Sequence, residues 1–454
     1  MLTYELKKAP GMPLYEALYR CLRGDILSGR LGPGEKLPSK RTLAENLKVS
    51  KITVETAYSQ LLSEGYIRSE EKIGYFVENV LRSPVPQSQT VSEPEEPASP
   101  MLDLTANGCA HFPFSVWSRL QRQILLDYGE KLLKPLPNLG AWELRCAIAE
   151  HLAGFRGMHV SPENILVGAG TDFLYNILIQ LLGRDKTFAV EEPGYHKIRK
   201  IYAAGGVKCV SAGVDSKGVE PAALTNAQVL HISPSHHFPT GTVTTMQRRT
   251  ELLAWAQQRD GYIIEDDYDS EFRFHAHPLP TLQALDTNGR VIYMNTFSKS
   301  LAPSIRVGFL VLPSALMALF QETLGFYSCT VPSFEQYALA RFLKEGHFEK
   351  HINRMRKFYR TRRDQVVNAL KNCPWAEKMT ILEADAGLHF LLKIDTLLPD
   401  EDLIRIFAQA GIRVNPLSYY YHNTIPHWAR HCLLVNYSGL NEDQLWRLEI
   451  VHID

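Results

Sequence analysis

One lysine stands in a setting that suggests chemistry. Val291-Ile292-Tyr293-Met294-Asn295-Thr296-Phe297-Ser298-Lys299-Ser300 is a β-favouring apolar run that breaks into small hydroxyl residues and then presents Lys299. An amine condenses with an aldehyde only while part of its population is neutral. Such a lysine needs a low-dielectric pocket or a cationic neighbour, and a strand end gives it a rigid mount. Thr296, Ser298 and Arg306 nearby carry the hydroxyl and guanidinium groups that suit a phosphate.

A second stretch carries acids. Tyr262-Ile263-Ile264 reads as a buried strand running into Glu265, Asp266, Asp267, Asp269 and Glu271, a cluster that repels itself unless a cation lies among it. A carboxylate beside a pyridine nitrogen keeps that nitrogen protonated and the ring an electron sink, the pairing that pyridoxal phosphate (PLP) enzymes use with a lysine. A helix N-terminus or a metal site is the plainer alternative for such acids. Glu-Asp-Asp-Tyr-Asp-Ser-Glu-Phe (265 to 272), Thr-Phe-Ser-Lys-Ser-Leu-Ala-Pro (296 to 303) with Arg306 and Gly308, and Pro-Ser-His-His-Phe-Pro-Thr-Gly (234 to 241) resemble the fold-type I aminotransferase domain of MocR-type transcription regulators. The resemblance implies that Lys299 forms the internal aldimine, that Asp266 pairs with the pyridinium nitrogen, with Asp267 the adjacent alternative, and that Tyr268 meets the ring hydroxyl.

The elements that position these residues follow from the rest of the chain. At 454 residues it exceeds the length over which one core keeps growing, so at least two domains are expected. Lysine plus arginine and aspartate plus glutamate both number 49, so any nucleic-acid binding must come from a local surface rather than a global field. The 7 cysteines are scattered, as reduced thiols would be, rather than arranged as a disulfide framework or zinc site. No run approaches a membrane span and the N-terminus lacks a long apolar segment, so a cytoplasmic protein is expected.

Residues 1 to 80 read as a small helical domain. Leu14, Leu18, Cys21, Leu22 and Ile26 recur with helical spacing; Ser39 opens a second helix and Ser50 a third, in which Val54, Ala57, Tyr58, Leu61 and Leu62 share one face. Two helices so close suggest a helix-turn-helix, and Tyr66-Ile67-Arg68 with Tyr75-Phe76-Val77 suggests a wing. Leu-Pro-Ser-Lys-Arg-Thr-Leu-Ala (37 to 44), Val-Ser-Lys-Ile-Thr-Val (49 to 54) and the stretch from Ala57 to Ile67 resemble a GntR-type winged helix. By that resemblance Ser39, Arg41, Ser50, Lys51 and Thr53 contact double-stranded DNA, with Lys72 and Gly74 at the wing tip.

Residues 81 to 100, with Pro84, Pro86, Pro94, Pro97 and Pro100 among polar and acidic residues, have the composition of a spacer. From 101 to 454 an aminotransferase-like domain is expected. Its large part, about 141 to 330, alternates strand-like runs (165 to 168, 187 to 191, 207 to 211, 228 to 232, 262 to 264, 291 to 295, 307 to 312) with helical patterns, which implies a mostly parallel sheet under helices. Gly168-Ala169-Gly170-Thr171-Asp172 leads into a helix whose free amides could hold a phosphate, giving Gly170 and Thr171 a place in the site. Tyr195 follows a strand, and the resemblance stacks it on the cofactor ring. His231, His236 and His237 lack ligand spacing and are read as pocket lining or structural hydrogen bonds, with no metal.

A smaller α+β part, about 331 to 454, completes the expected multidomain fold. The resemblance places a carboxylate-binding arginine where Leu434 stands, so an amino acid effector would leave its carboxylate unpaired unless Arg430 substitutes. The chain is therefore expected to be a PLP-binding transcription regulator that senses PLP or its aldimine with a small amine or amino acid. The alternative is an active PLP-dependent aminotransferase with an autoregulatory DNA-binding domain. The resemblance further implies a head-to-tail homodimer on a bipartite operator.

Overall fold

Helix α1 (Leu14–Ser28) ends at Gly29, whose φ of 76° closes the helix in the left-handed region that glycine tolerates. The structure, a computed structural model, describes residue 4 and residues 13–80, 101–108, 111–273, 279–383 and 387–453. The expected spacer at 81 to 100 lies outside the described residues. The chain divides into two units, Met1–Ala98 and Ser99–Asp454.

In the first unit, α1 is followed by β1 (Lys36–Leu37), α2 (Lys40–Leu47) and α3 (Lys51–Ser63). Ser39 and Ser50 cap α2 and α3, their hydroxyls accepting from Thr42 N and Thr53 N at 3.1 Å. Strands β2 (Ile67–Glu70) and β3 (Gly74–Val77) form the wing, and β1 adds a third strand to it, antiparallel to β3. Leu18, Leu22, Leu43, Val54, Ala57, Tyr58 and Leu61 fill the core between the helices, which makes this unit a winged helix-turn-helix.

The second unit opens with β4 (Leu102–Asp103), α4 (Phe114–Tyr128) and α5 (Trp142–Arg156). Its sheet contains β5 (Ile165–Gly168), β6 (Thr187–Glu192), β7 (Lys208–Asp215), β8 (Gly218–Val219), β9 (Val229–Ile232), β10 (Tyr262–Asp266), β11 (Val291–Thr296) and β12 (Gly308–Val311). The order is β5-β12-β11-β10-β9-β6-β7-β8, parallel from β11 to β7, with β12 antiparallel to both β11 and β5 and β8 antiparallel to β7. Strands β5, β9 and β11 are buried along their whole length, as expected of strands covered on both faces. Helices α6 (Thr171–Leu182), α7 (His196–Ala204) and α8 (Met246–Gln258) belong to this layer system.

Helices α9 (Leu282–Leu285), α10 (Phe297–Ser300) and α11 (Ser314–Thr323) complete the large part, and the C-terminal part is built on α12 (Ser333–Lys344), α13 (His347–Lys371) and α14 (Asp400–Gln409) and on β13 (Met379–Leu382), β14 (His389–Ile394), β15 (Ile412–Arg413), β16 (Asn415–Pro416) and β17 (Cys432–Asn436). In sequence α9 and α10 flank β11, and β13-β14-β17-β16 form a sheet separate from the large one. β15 pairs in parallel with β4, so the segment that opens the unit is fastened to its far end. Among the described residues no helix is long and apolar enough to cross a membrane.

Candidate functional site

The parallel strands β6, β9, β10 and β11 end on one side of the sheet, where ligands of such sheets sit. One cavity there is lined by Thr171, Tyr195, Asp266, Tyr268, Thr296, Ser298, Lys299 and Arg306, all singled out in the sequence, and also by Asn107, Tyr175, Glu191, Glu192, His231, Phe238 and Tyr420. Gly170 is not among the lining residues, though its neighbour Thr171 is. With φ at +79° Gly170 has the freedom that the turn into α6 needs, and a Cβ there would fall 2.6 Å from the Arg306 guanidinium.

Lys299 sits in α10, one turn after β11. Burial lowers its ammonium pKa below the ordinary value, opposed by the charge of Asp269, so the neutral amine is more available than on a surface lysine. Its Nζ donates to Asn107 Oδ1 at 2.6 Å, and Asn436 Nδ2 donates to the same oxygen at 2.9 Å.

The acidic stretch separates into distinct roles. Asp266 is 6% exposed; its Oδ2 accepts from Tyr175 at 3.0 Å and lies 3.5 Å from His231 Nε2, while its Oδ1 has no hydrogen-bond partner among the described residues. Asp267 is held away from the cavity lining by Arg156 Nε at 3.0 Å and Tyr293 hydroxyl at 2.7 Å. Burial pushes its pKa up, but the guanidinium and the hydroxyls around it win and hold the carboxyl below its usual range. Glu265 accepts from Leu282 N and Gln283 N at 2.9 Å, the helix N-terminus that was the plainer alternative. Glu271 is pushed up to about 8 by burial.

The histidines form structural hydrogen bonds. His231 Nδ1 meets the Tyr202 hydroxyl at 2.7 Å, His236 Nδ1 meets Asp269 Oδ2 at 2.8 Å and His237 Nδ1 meets Thr240 Oγ1 at 2.7 Å. The ligating atoms of His236, Asp269 and His389 lie within 4.8 Å of one another, all three residues being buried.

The wall formed by Phe238 and Tyr420, their rings 5.2 Å apart, packs against Leu391, Leu417 and Leu434. Arg430 is exposed and is not among the lining residues, so the structure does not bring it into the place of an arginine at Leu434.

A phosphate-bearing pyridine aldehyde fits these residues. The unpaired Asp266 Oδ1 calls for a buried cationic N–H, and the close space at Gly170 beside Arg306, with the free amides of α6 and the hydroxyls of Thr171, Thr296 and Ser298, makes an anion cradle. Lys299 supplies the amine. Sequence reasoning did not find Tyr175 or Asn107. Tyr175 was accessible, since it lies four residues after Thr171 on the same face of α6. Asn107 was not, because 192 residues separate it from Lys299.

In the first unit, α3 buries Val54, Ala57, Tyr58 and Leu61 and exposes Lys51 and Ile52, the latter to 74%. Thr53 is partly covered, its hydroxyl 2.8 Å from Ser50 Oγ, as Thr42 Oγ1 is 2.7 Å from Ser39 Oγ. Arg41 is exposed beside Glu45 at 3.0 Å. Glu55 is paired with Lys40 at 2.7 Å, which takes both off the list of free charges. Lys72 lies in the turn of the wing and Gly74 opens β3 directly after it, with φ of 62° and 140°.

Comparison with known proteins adds the following. Residues 14–77 match the family Bacterial regulatory proteins, gntR family, and residues 99–446 match Aminotransferase class I and II. The chain is 33% identical over 458 residues to the Probable rhizopine catabolism regulatory protein MocR of Rhizobium meliloti, covering 96% of this chain and 92% of that one. It is 32% identical over 432 residues to the HTH-type pyridoxine biosynthesis transcriptional regulator PdxR of Corynebacterium glutamicum, covering 93% and 92%. The crystal structure of Pyrococcus horikoshii kynurenine aminotransferase matches the fold with a TM-score of 0.67 at 24% identity, over 78% of this chain and 90% of that one.

Proposed function

The chain belongs to the MocR-type branch of the GntR family of transcription regulators, a winged helix joined to a fold-type I aminotransferase domain, and from this premise we propose that it is a sensor whose DNA binding follows the state of Lys299. The observation that carries this reading is the convergence, in one cavity, of a lysine with a lowered pKa and a buried carboxylate whose second oxygen lacks a partner.

With PLP in this cavity, Lys299 would hold it covalently, Asp266 would keep its ring nitrogen protonated, Tyr268 would meet the ring hydroxyl and Tyr195 would cover the ring. Gly170, Thr171, Thr296, Ser298 and Arg306 would hold the phosphate. PLP bound there supplies an aldehyde that condenses reversibly with primary amines, so the site can register the vitamin itself or a small amine. Tyr175 and His231 keep Asp266 oriented, and burial of Lys299 keeps part of its amine neutral for the condensation. Ser39, Arg41, Ser50, Lys51 and Thr53 address a DNA groove and its phosphates, with Lys72 and Gly74 at the wing.

In this reading residues 1 to 80 read DNA, 81 to 100 tether and 101 to 454 sense, the large part spanning about 141 to 330 and the small part about 331 to 454. The protein works in the cytoplasm as a head-to-tail homodimer. Genes of vitamin B6 or amino-compound metabolism are the proposed targets, supported by what the two regulators above are named for. The same Lys299 and Asp266 would serve an active aminotransferase, but the apolar side chain of Leu434, packed behind Phe238 and Tyr420, offers a substrate carboxylate no charge to pair with.

Borohydride reduction of the PLP-loaded protein, followed by peptide mass spectrometry, tests the anchor. The added pyridoxyl mass is expected on Lys299; its appearance on another lysine, or on none, would remove the basis of the sensor.

A further inference from the structure

Lys299 is hydrogen-bonded to the very segment by which the chain enters its second unit. We propose that Asn107 ties the state of Lys299 to this segment and so passes it toward the DNA-reading unit; the inference rests on Lys299 being the PLP anchor.

The Lys299 bond to Asn107 Oδ1 opens a short circuit of hydrogen bonds. Asn436 donates to the same Asn107 oxygen, and its own Oδ1 accepts from Ser438 N and Ser438 Oγ at 2.9 and 2.8 Å. Ser438 Oγ in turn accepts from Gly108 N at 3.2 Å, returning to the residue after Asn107. Gly108 lies so close to Gly439 that a Cβ on it would fall 2.3 Å from the Gly439 Cα, so the two backbones meet with no room for a side chain.

Just before Asn107, β4 pairs with β15, Leu104 N donates to Arg413 O at 3.0 Å and Asn436 N donates to Leu104 O at 2.7 Å. Residues 102 to 108 are thus fastened at one end by backbone pairing and at the other by a polar circuit that closes on Lys299. Residues 81 to 100, which precede this segment in sequence, join it to the winged helix.

Condensation changes one member of the circuit. As the Lys299 nitrogen forms a double bond to the aldehyde carbon, the two hydrogens of the neutral amine leave with the carbonyl oxygen as water. The nitrogen that remains is trigonal and carries at most one hydrogen, fixed in the plane of the double bond, so the donor that the free amine offers Asn107 is removed or turned away and Oδ1 keeps the bond from Asn436. A ligand shifts an equilibrium only by differential interaction with its two states, and the bond from Lys299 to Asn107 differs between them. Among the described residues of the segment it is Asn107 that bonds to Lys299, which makes it the position to test.

The test compares the wild type with Asn107→Ala and Asn107→Asp, the second keeping an acceptor oxygen at the same reach. PLP uptake is read from the absorption band of the lysine-bound cofactor, and DNA affinity from anisotropy of a labelled duplex taken from upstream of the protein's own gene, with and without PLP. All three proteins are expected to take up PLP. PLP is expected to change the DNA dissociation constant by about fivefold or more in the wild type and in Asn107→Asp, and by less than about twofold in Asn107→Ala.

A response of wild-type size in Asn107→Ala would overturn the proposal, as would its loss in Asn107→Asp, since the acceptor oxygen would then not be what matters. Loss of the absorption band in Asn107→Ala would also overturn it, by making Asn107 part of the cofactor cradle. A wild type that takes up PLP without any change in DNA affinity would instead bring down the sensor reading itself, and this inference with it.

Discussion

Two neighbouring carboxylates divide the work at the site. Asp266 ends β10 facing the cavity with an unpaired oxygen, whereas Asp267, the next residue, is locked to Arg156 and Tyr293 in the interior. Successive side chains of an extended chain point to opposite sides, so a step of one residue exchanges a carboxylate that faces the cavity for one held in a buried ion pair. The two should therefore respond differently to substitution. Arg156→Met leaves Asp267 as an uncompensated buried charge and should cost about 3–5 kcal/mol in urea unfolding. Asp266→Asn should leave the unfolding midpoint near that of the wild type while weakening PLP uptake. Equal stability losses in the two variants would contradict this division of roles.

At the scale of elements, apolar periodicity was a good guide and pairing was not. The runs at 165 to 168, 262 to 264 and 291 to 295 lie within strands β5, β10 and β11, and Ser39 and Ser50 cap the two helices that they were expected to open. Local sequence carries these because strand and helix periods and cap hydroxyls are properties of neighbouring residues. The antiparallel pairing of β12 with β5, the third wing strand β1 and the pairing of β4 with β15 were not legible, since each joins segments remote in sequence. The same limit applied to side chains. Lys299 announced itself by its setting after a strand, but its partner Asn107 had no local mark, and nothing in the run of acids separated Asp266 from Asp267.

Over the whole molecule, buried titratable groups set a pH dependence. Glu191 and Glu271 are each pushed up to about 8 by burial, so both hold a proton in the folded state while their unfolded counterparts have lost it above about pH 4.5. The folded protein then binds more protons, and stability falls as pH rises, by at most about 1.4 kcal/mol per pH unit for each group until about pH 8. Glu265, raised by burial, adds in the same sense, and Lys299 opposes it. His151 and His351, lowered to about 4, and His237, lowered to about 3, act only below about pH 6.5, where their protonation in the unfolded chain removes stability as pH falls. The thermal midpoint is therefore expected to decline from about pH 6.5 to 8, and to decline less in a Glu191→Gln, Glu271→Gln double variant. A flat or rising midpoint over that window in the wild type would contradict the assignment.

The claim that joins the two units is that the state of Lys299 governs DNA binding. It is tested most directly by fluorescence anisotropy of the full chain on the duplex upstream of its own gene, titrated with PLP beside Lys299→Ala. A PLP-dependent change in affinity that Lys299→Ala lacks is the result predicted. Identical affinities with and without PLP in the wild type, or a response that survives in Lys299→Ala, would contradict it.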